Sequence, residues 1–275
     1  PNLTPDVAED IARGFVVWLS DRSGKKPEDL TVAVGRDPRI SGKRLVQGMM
    51  NGFGPYGVKV YDCGLASTPA MFMTTVFPEF ACDAGIMVTA SHLPYNRNGF
   101  KFFTAEGGLN KGDIAQILEY AADEEACRAK LGEPGNHDAR VRDFGKLVYP
   151  MVDGDVMTVY CDHLKSLIVK GADNGDRPLE GMKIVVDAGN GSGGFYAKRV
   201  LKPLGADVSA SQFLEPDGMF LNHAPNPEDR DAMNSIMTKV ISSGADFGLI
   251  FDTDVDRSAA VDGKGREIAR NGIVA

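Results

Sequence analysis

Short apolar runs that stop abruptly at turn-forming or charged residues constrain this chain more than any other feature. Residues 30–34 (LTVAV) end at Gly35-Arg36-Asp37-Pro38, and residues 85–88 (GIMV) run into Thr89-Ala90-Ser91. Residues 183–186 (KIVV) give way to Asp187-Ala188-Gly189-Asn190-Gly191, and residues 247–251 (FGLIF) meet Asp252 head-on. Runs this short, rich in β-branched or apolar residues and bounded by Gly, Pro, Asp or Asn, read as buried strands. Further strands are expected at residues 58–61, at residues 100–103 and near Val208. Helix patterns fall between them: about 43–51 behind a capping Ser41, one opened by Thr68-Pro69 with threonine as N-cap, then about 113–129, 152–169, one reaching Leu204, and 231–242. Strand alternating with helix gives a sheet covered on both faces. The expected fold class is α/β, as two three-layer α/β/α domains with mixed, mostly parallel sheets. The polar, Gly/Pro-rich segment 132–145 is the expected linker, dividing a domain over 1–140 from one over 150–262, with 263–275 beginning a third.

Composition removes several function classes. The 275 residues carry a net charge of -8, which disfavours a general nucleic-acid binder, since phosphate backbones require a basic face. No apolar run approaches the roughly 18 residues of a membrane span. Cys63, Cys82, Cys127 and Cys161 show no paired metal-ligand spacing and read as buried or half-buried thiols. No secretory leader pattern opens the chain. It begins at Pro1 and ends inside an apolar stretch, so it reads as a piece of a longer protein, and the choice between cytoplasm and plastid stays open.

Two strand ends carry the chemistry. The first delivers Ser91 at the carboxyl edge of a buried strand, where α/β sheets bind ligands, into a loop shaped by Pro94, Asn96, Asn98 and Gly99. A serine hydroxyl is a weak nucleophile unless a neighbour takes its proton, and His92 and Lys101 are the nearby candidates for acid or base. No G-x-S-x-G elbow is present. On this segment alone, a serine-rich turn beside a histidine satisfied in a polar pocket is the stronger account.

The second strand end places Asp252, Asp254 and Asp256 at alternate positions. Extended, they share a face; curled, they converge on a point. Converged carboxylates repel unless a cation separates them, and hard oxygen ligands suit Mg²⁺. An EF-hand is excluded, because Arg257 occupies the position that requires glycine and no helix precedes the loop. A solvated acidic turn is the weaker alternative, since it seldom follows a wholly apolar strand. Arg257 adds a fork suited to phosphate.

Taken together, TASHLPYNRNGFK (residues 89–101) and DTDVDR (residues 252–257) resemble the α-D-phosphohexomutases, the phosphoglucomutase and phosphomannomutase family. The resemblance extends to Val34-Gly35-Arg36-Asp37, VVDAGNGSGG at 185–194 and EPDGMFLNHAPNPED at 215–229. It implies that Ser91 is a phosphoserine, that Asp252, Asp254 and Asp256 bind Mg²⁺ with the Ser91 phosphate as a further ligand, and that His92 and Lys101 occupy the family's acid/base and active-site positions. Arg257 matches the arginine beside the phosphate, and Arg36 is a further candidate for phosphate binding. The implied activity interconverts hexose 1-phosphate and 6-phosphate through a bisphosphorylated sugar, with Mg²⁺ and a glucose 1,6-bisphosphate-type activator as cofactors. The expected partner is a hexose phosphate, with neither nucleic acid nor membrane. The family has four domains, of which this chain resembles the first two, so little turnover is expected of these residues by themselves.

Three positions depart from the family pattern. Leu93 stands where asparagine is usual, and Thr253 and Val255 replace the glycines of the metal loop. β-Branched residues disfavour positive φ, so the loop is expected to stay in the β region. These departures suggest a divergent subgroup, similar to phosphoglucomutase-like proteins of plants and algae. The glycine-rich turn at 187–194 lacks dinucleotide and P-loop spacing and reads as a tight structural turn. His223 and Asn226 read as loop scaffolding, and Arg39, like Arg36, faces either the cleft or solvent. Two rival functions remain: a metal-dependent phosphatase, which needs an aspartate nucleophile where this chain has Ser91, and a catalytically impaired, mutase-like regulator that binds sugar phosphate.

Overall fold

The computed structural model describes residues 3–135 and 155–269. The expected domain junction near residue 140 lies outside the described residues, as do the first positions of the helix expected from 152 and residues 270–275 of the expected third domain.

The first sheet runs β2(Lys59–Leu65), β1(Thr31–Arg36), β3(Ala84–Val88), β4(Phe100–Thr104), β5(Gly107–Gly108). β1 pairs parallel with both β2 and β3, whereas β4 and β5 add antiparallel. Period-two alternation sorts its side chains. Val32, Val34, Ile86 and Val88 enter one core with Phe15, Leu45, Met49 and Phe53, while Ala33 and Met87 enter another with Ala70, Met71 and Tyr160. The helices α1(Pro5–Ser23), α2(Gly42–Phe53) and α4(Lys111–Ala121) cover the first face, and α3(Thr68–Met73) lies on the second. The layers are therefore helix, sheet, helix. Thr4 caps α1 through its side chain, Pro5 opens it and Gly24 closes it in the left-handed region. A helix expected over 113–129 divides into α4 and α5(Glu124–Leu131), because the Asp123 side chain caps a fresh N-terminus.

The second sheet is β6(Ile184–Asp187), β7(Phe247–Phe251), β8(Ser258–Asp262), parallel then antiparallel. α7(Arg230–Ser243) packs Ala232, Ile236 and Val240 against Val185, Ile250 and Val261. Ile184, Val186 and Phe251 turn the other way, onto Ala197 and Leu201. The helix expected to reach Leu204 is instead a 3₁₀ turn at Ser192–Gly194 and one π turn at Tyr196–Leu201. The strand expected near Val208 is reduced to isolated bridges at Asp207 and Gln212. α6(Val156–Ala172) joins the two units: Val156, Met157 and Tyr160 complete a core of the first sheet, while Cys161 packs on Val200 and Leu204 of the second.

Both sheets are mixed for one reason. The loops after β3 and β7 span only residues 89–99 and 252–257, too few for a helical crossover, so the next strand returns antiparallel. The four cysteines are free, and no helix among the described residues is long and apolar enough to cross a membrane.

Candidate active site

The two strand ends meet. Ser91 Oγ lies 3.2 Å from Asp252 Oδ2 and accepts a hydrogen bond from Arg257 Nη2 at 3.1 Å. Ser91 adopts φ 53°, in the left-handed region that a non-glycine residue enters only when its surroundings enforce it. Its N–H donates to Thr89 Oγ1 at 2.9 Å, and the Thr89 hydroxyl donates in turn to Asp37 Oδ2 at 2.7 Å.

The acid loop curls instead of extending. Asp252 Oδ1 accepts the N–H groups of Asp256 and Arg257, each at 3.1 Å, which draws the chain around its carboxylate. Asp252 and Asp254 are fully buried, and one oxygen from each of the three acids falls within 4.8 Å of the others. Val255 sits at φ 67°. The expected β-region loop is thus corrected: the curl demands a left-handed residue, and burial of Val255 in the core cluster that holds Val186 and Phe251 offsets its strain.

Charge is concentrated here, and two of the three acids are removed from water while Asp256 stays exposed. Burial, then the charges of Asp254 and Asp256, push the Asp252 carboxyl up to about 7. Lys101 Nζ bridges Asp254 Oδ2 at 2.7 Å and Asp256 Oδ2 at 2.6 Å. Burial works against the ammonium, yet both acids outweigh it and its pKa is raised. In this arrangement Lys101 is a fixed positive charge and a poor base. Asp254 Oδ1 is buried and accepts no hydrogen bond among the described residues. An orphaned carboxylate oxygen beside two further acids and a serine hydroxyl is a donor set that fits a hard divalent cation.

The structure brings Ser91, Lys101, Arg257, Asp252, Asp254 and Asp256 together. Two other expected site residues make no hydrogen bond to this cluster among the described residues. His92 is exposed and makes no hydrogen bond among the described residues. Arg36 stays at the end of β1, where Nη1 donates to the Asp37 carbonyl at 3.2 Å and burial lowers its pKa. Arg39 faces neither cleft nor solvent, being 1% exposed. Leu93, in place of asparagine, is exposed, and its amide closes a turn onto the Ala90 carbonyl at 3.1 Å.

Thr68 is a site residue that the sequence concealed. Ser67, not Thr68, caps α3, accepting from the Ala70 N–H at 3.3 Å. Thr68 is thereby free to reach the acid loop. Its amide donates to the Asp254 carbonyl at 2.8 Å, and its hydroxyl donates to Asp254 Oδ2. The doublet Ser67-Thr68 ahead of Pro69 was the available signal, because one helix start needs only one side-chain cap. Ser41 likewise leaves its expected capping role, and its hydroxyl accepts from Asn98 Nδ2 at 3.0 Å, tying down the far end of the serine loop.

The glycine-rich turn is structural. A Cβ on Gly191 would lie 2.8 Å from the Thr253 carbonyl oxygen, so the turn seats directly on the acid loop. His223 braces it: its Nε2 lies 3.1 Å from both Asp187 carboxylate oxygens.

Known proteins resemble this chain along nearly its whole length. The family models for phosphoglucomutase/phosphomannomutase α/β/α domains I and II match residues 1–128 and 158–265. A phosphoglucosamine mutase of Alkaliphilus oremlandii is 34% identical over 276 aligned residues, covering 100% of this chain and 55% of the relative. A phosphoglucomutase/phosphomannomutase of Thermococcus kodakarensis is 33% identical, covering 97% and 53%. The crystal structure of a phosphoglucomutase/phosphomannomutase family protein from Burkholderia thailandensis superposes with a TM-score of 0.75 at 28% identity, covering 97% of this chain and 52% of the other. The chain thus spans about half the length of the curated relatives it matches. It belongs to the phosphoglucomutase/phosphomannomutase family, the α-D-phosphohexomutases.

Proposed function

We propose that this chain carries the phosphoserine and metal-binding halves of a hexose-phosphate mutase, with Ser91 as the residue that exchanges a phosphoryl group with the sugar. The observation that carries the reading is the meeting of Ser91 Oγ with Asp252 Oδ2 and Arg257 Nη2, across 161 and 166 residues of sequence. The proposed division follows the two sheets, with the serine domain over 1–140 and the metal domain over 150–262.

In the proposed cycle, the bond between phosphorus and Ser91 Oγ breaks as a bond forms to a free sugar hydroxyl. The proton leaving that hydroxyl ends on Ser91 Oγ. The other phosphate of the resulting bisphosphorylated sugar then returns to Ser91, and the proton moves back. Transfer of this kind depends chiefly on alignment and on charge stabilisation. Arg257 Nη2 lies where it can offset charge on the oxygens in flight, and Lys101 holds Asp254 and Asp256 in place. His92, exposed beside Ser91, is the proposed proton carrier. Asp252, Asp254 and Asp256 would hold Mg²⁺, which supplies Lewis-acid stabilisation of phosphoryl oxygens. The names of the relatives span glucosamine, glucose and mannose phosphates, and these define the substrate class proposed for the whole protein.

The test is direct. Incubation with Mg²⁺ and glucose 1,6-bisphosphate should add one phosphoryl group, read by intact mass and mapped to Ser91. Ser91→Ala should take up none. Wild-type chain that stays unphosphorylated, or carries the group elsewhere, would overturn the reading. One observation favours a second reading, a catalytically impaired sugar-phosphate-binding protein: Val255 occupies a left-handed position of the acid loop. Mg²⁺ binding without Ser91 phosphorylation would select it.

A further inference from the structure

We infer that Arg39, backed by Asp37 and Thr89, is the positioning residue that fixes Ser91 for phosphoryl exchange, a role that rests on the phosphoserine reading above. A guanidinium offers five N–H donors, and here all of them are used. Nε donates to Asp37 Oδ2 at 3.0 Å. Nη1 donates to the carbonyls of Pro94 at 2.6 Å and Arg97 at 3.1 Å. Nη2 donates to the carbonyls of Ser91 at 2.5 Å and Leu93 at 2.7 Å. A loop without regular secondary structure is thus gathered around one buried cation, which takes the place of a sheet's hydrogen-bond ladder.

Ser91 is gripped at both ends of its residue. Arg39 binds its carbonyl, while Thr89, oriented by Asp37, accepts its N–H. Asp37 is fully buried and binds both grips, through Thr89 Oγ1 and through the Arg39 amide and Nε. This closed network accounts for φ 53° at a residue without glycine's freedom. The second unit seals it. The Phe220 ring centroid lies 5.2 Å from Arg39 Cζ, and a Cβ on Gly218 would lie 2.4 Å from the Pro38 carbonyl oxygen, so the segment around 218–220 closes over the guanidinium. Among the described residues, no hydrogen bond links Arg39 to Ser91 Oγ or to Asp252, Asp254 or Asp256. Arg39 acts through the backbone.

Lysine brings three donors in place of five, so Arg39→Lys leaves at least two of these bonds unmade. Thr89→Val removes the other grip with little change of volume. Both variants, in the chain as it stands with Mg²⁺, should lower the maximum single-turnover rate of Ser91 phosphorylation from glucose 1,6-bisphosphate on the order of 100-fold. The half-saturating donor concentration should stay within about twofold, because no contact with donor is removed. Hydrogen exchange at the Ser91, Leu93 and Arg97 amides should accelerate while β1 and β3 keep their protection. A wild-type maximum rate in both variants, or a loss confined to half-saturation, overturns the proposal. Should Arg39→Lys lose protection throughout the sheet, Thr89→Val decides by the same criteria. If the wild-type chain takes up no phosphoryl group, the phosphoserine reading falls by itself. The anchor is then judged on exchange, and unchanged protection of the loop amides in both variants overturns it.

Discussion

The serine loop and the acid loop solve the same topological problem with hubs of opposite charge. Each follows a central strand, turns within a few residues, returns antiparallel and forces one non-glycine residue to positive φ, Ser91 in one and Val255 in the other. The serine loop turns carbonyls inward and needs a donor hub, which Arg39 supplies from the turn after a different strand. The acid loop turns N–H groups inward and needs an acceptor hub, which its own first residue, Asp252, supplies. The acid loop is thus organised locally, whereas the serine loop is shaped by a residue more than fifty positions away.

Breaking the local hub should have the largest effect. Asp252→Ala removes the acceptor of two loop amides, the partner of Arg257 and one carboxylate of the proposed metal set. Ser91 phosphorylation should fall on the order of 1,000-fold in single-turnover assays. A drop of less than about tenfold would mean that Asp252 organises the loop without serving the chemistry. Next comes the brace from α3 to the acid loop. Thr68→Val keeps the backbone bond to Asp254 but deletes the hydroxyl on its carboxylate. Mg²⁺ affinity, read by titration calorimetry, should weaken about tenfold, as expected for a residue that orients a ligand. Unchanged affinity would place Thr68 in the fold alone.

The glycine turn on the same edge gives a smaller, pH-dependent test. Burial opposes the charge on His223, but the carboxylate of Asp187 prevails and its pKa is raised. The stabilisation is therefore complete below the unfolded value near about 6.5 and is lost as pH rises through the higher folded value. His223→Gln should cost on the order of 2 kcal/mol at about pH 6 and less at about pH 9, as followed by denaturant midpoints. A cost that grows with pH would refute the ion pair. The smallest effect tests strain at Val255. Glycine in place of alanine usually destabilises, but φ 67° favours glycine. Val255→Gly should be more stable than Val255→Ala by a margin on the order of 0.5 kcal/mol. The opposite order would mean that the loop relaxes to negative φ once the valine is removed.

Period and punctuation made the strands legible. The run at 247–251 became β7 at those limits, since an apolar strand ended by aspartate has one reading. The family resemblance and the candidate acids were also carried by local spacing. Other parts were hidden for physical reasons. In α1, Phe15, Val16, Val17, Trp18 and Leu19 are all buried, so its second half lacks the polar face that marks a helix. β8 follows the acid loop directly, with no turn pair to announce a hairpin. The curl at Val255 opposes the preference of its own residue and is sustained by burial in the core cluster that holds Val186 and Phe251.

The sequence by itself determined the strand ends, the chemistry placed on them and the oxygen ligands available to a cation, because these depend on residue type and short spacing. Only the tertiary structure decided that Ser91 faces Asp252, that Thr68 reaches across to Asp254 and that Arg39 is a buried anchor and not a surface charge. A buried guanidinium is stable only where enough carbonyls converge on it, and that convergence exists once distant segments have packed.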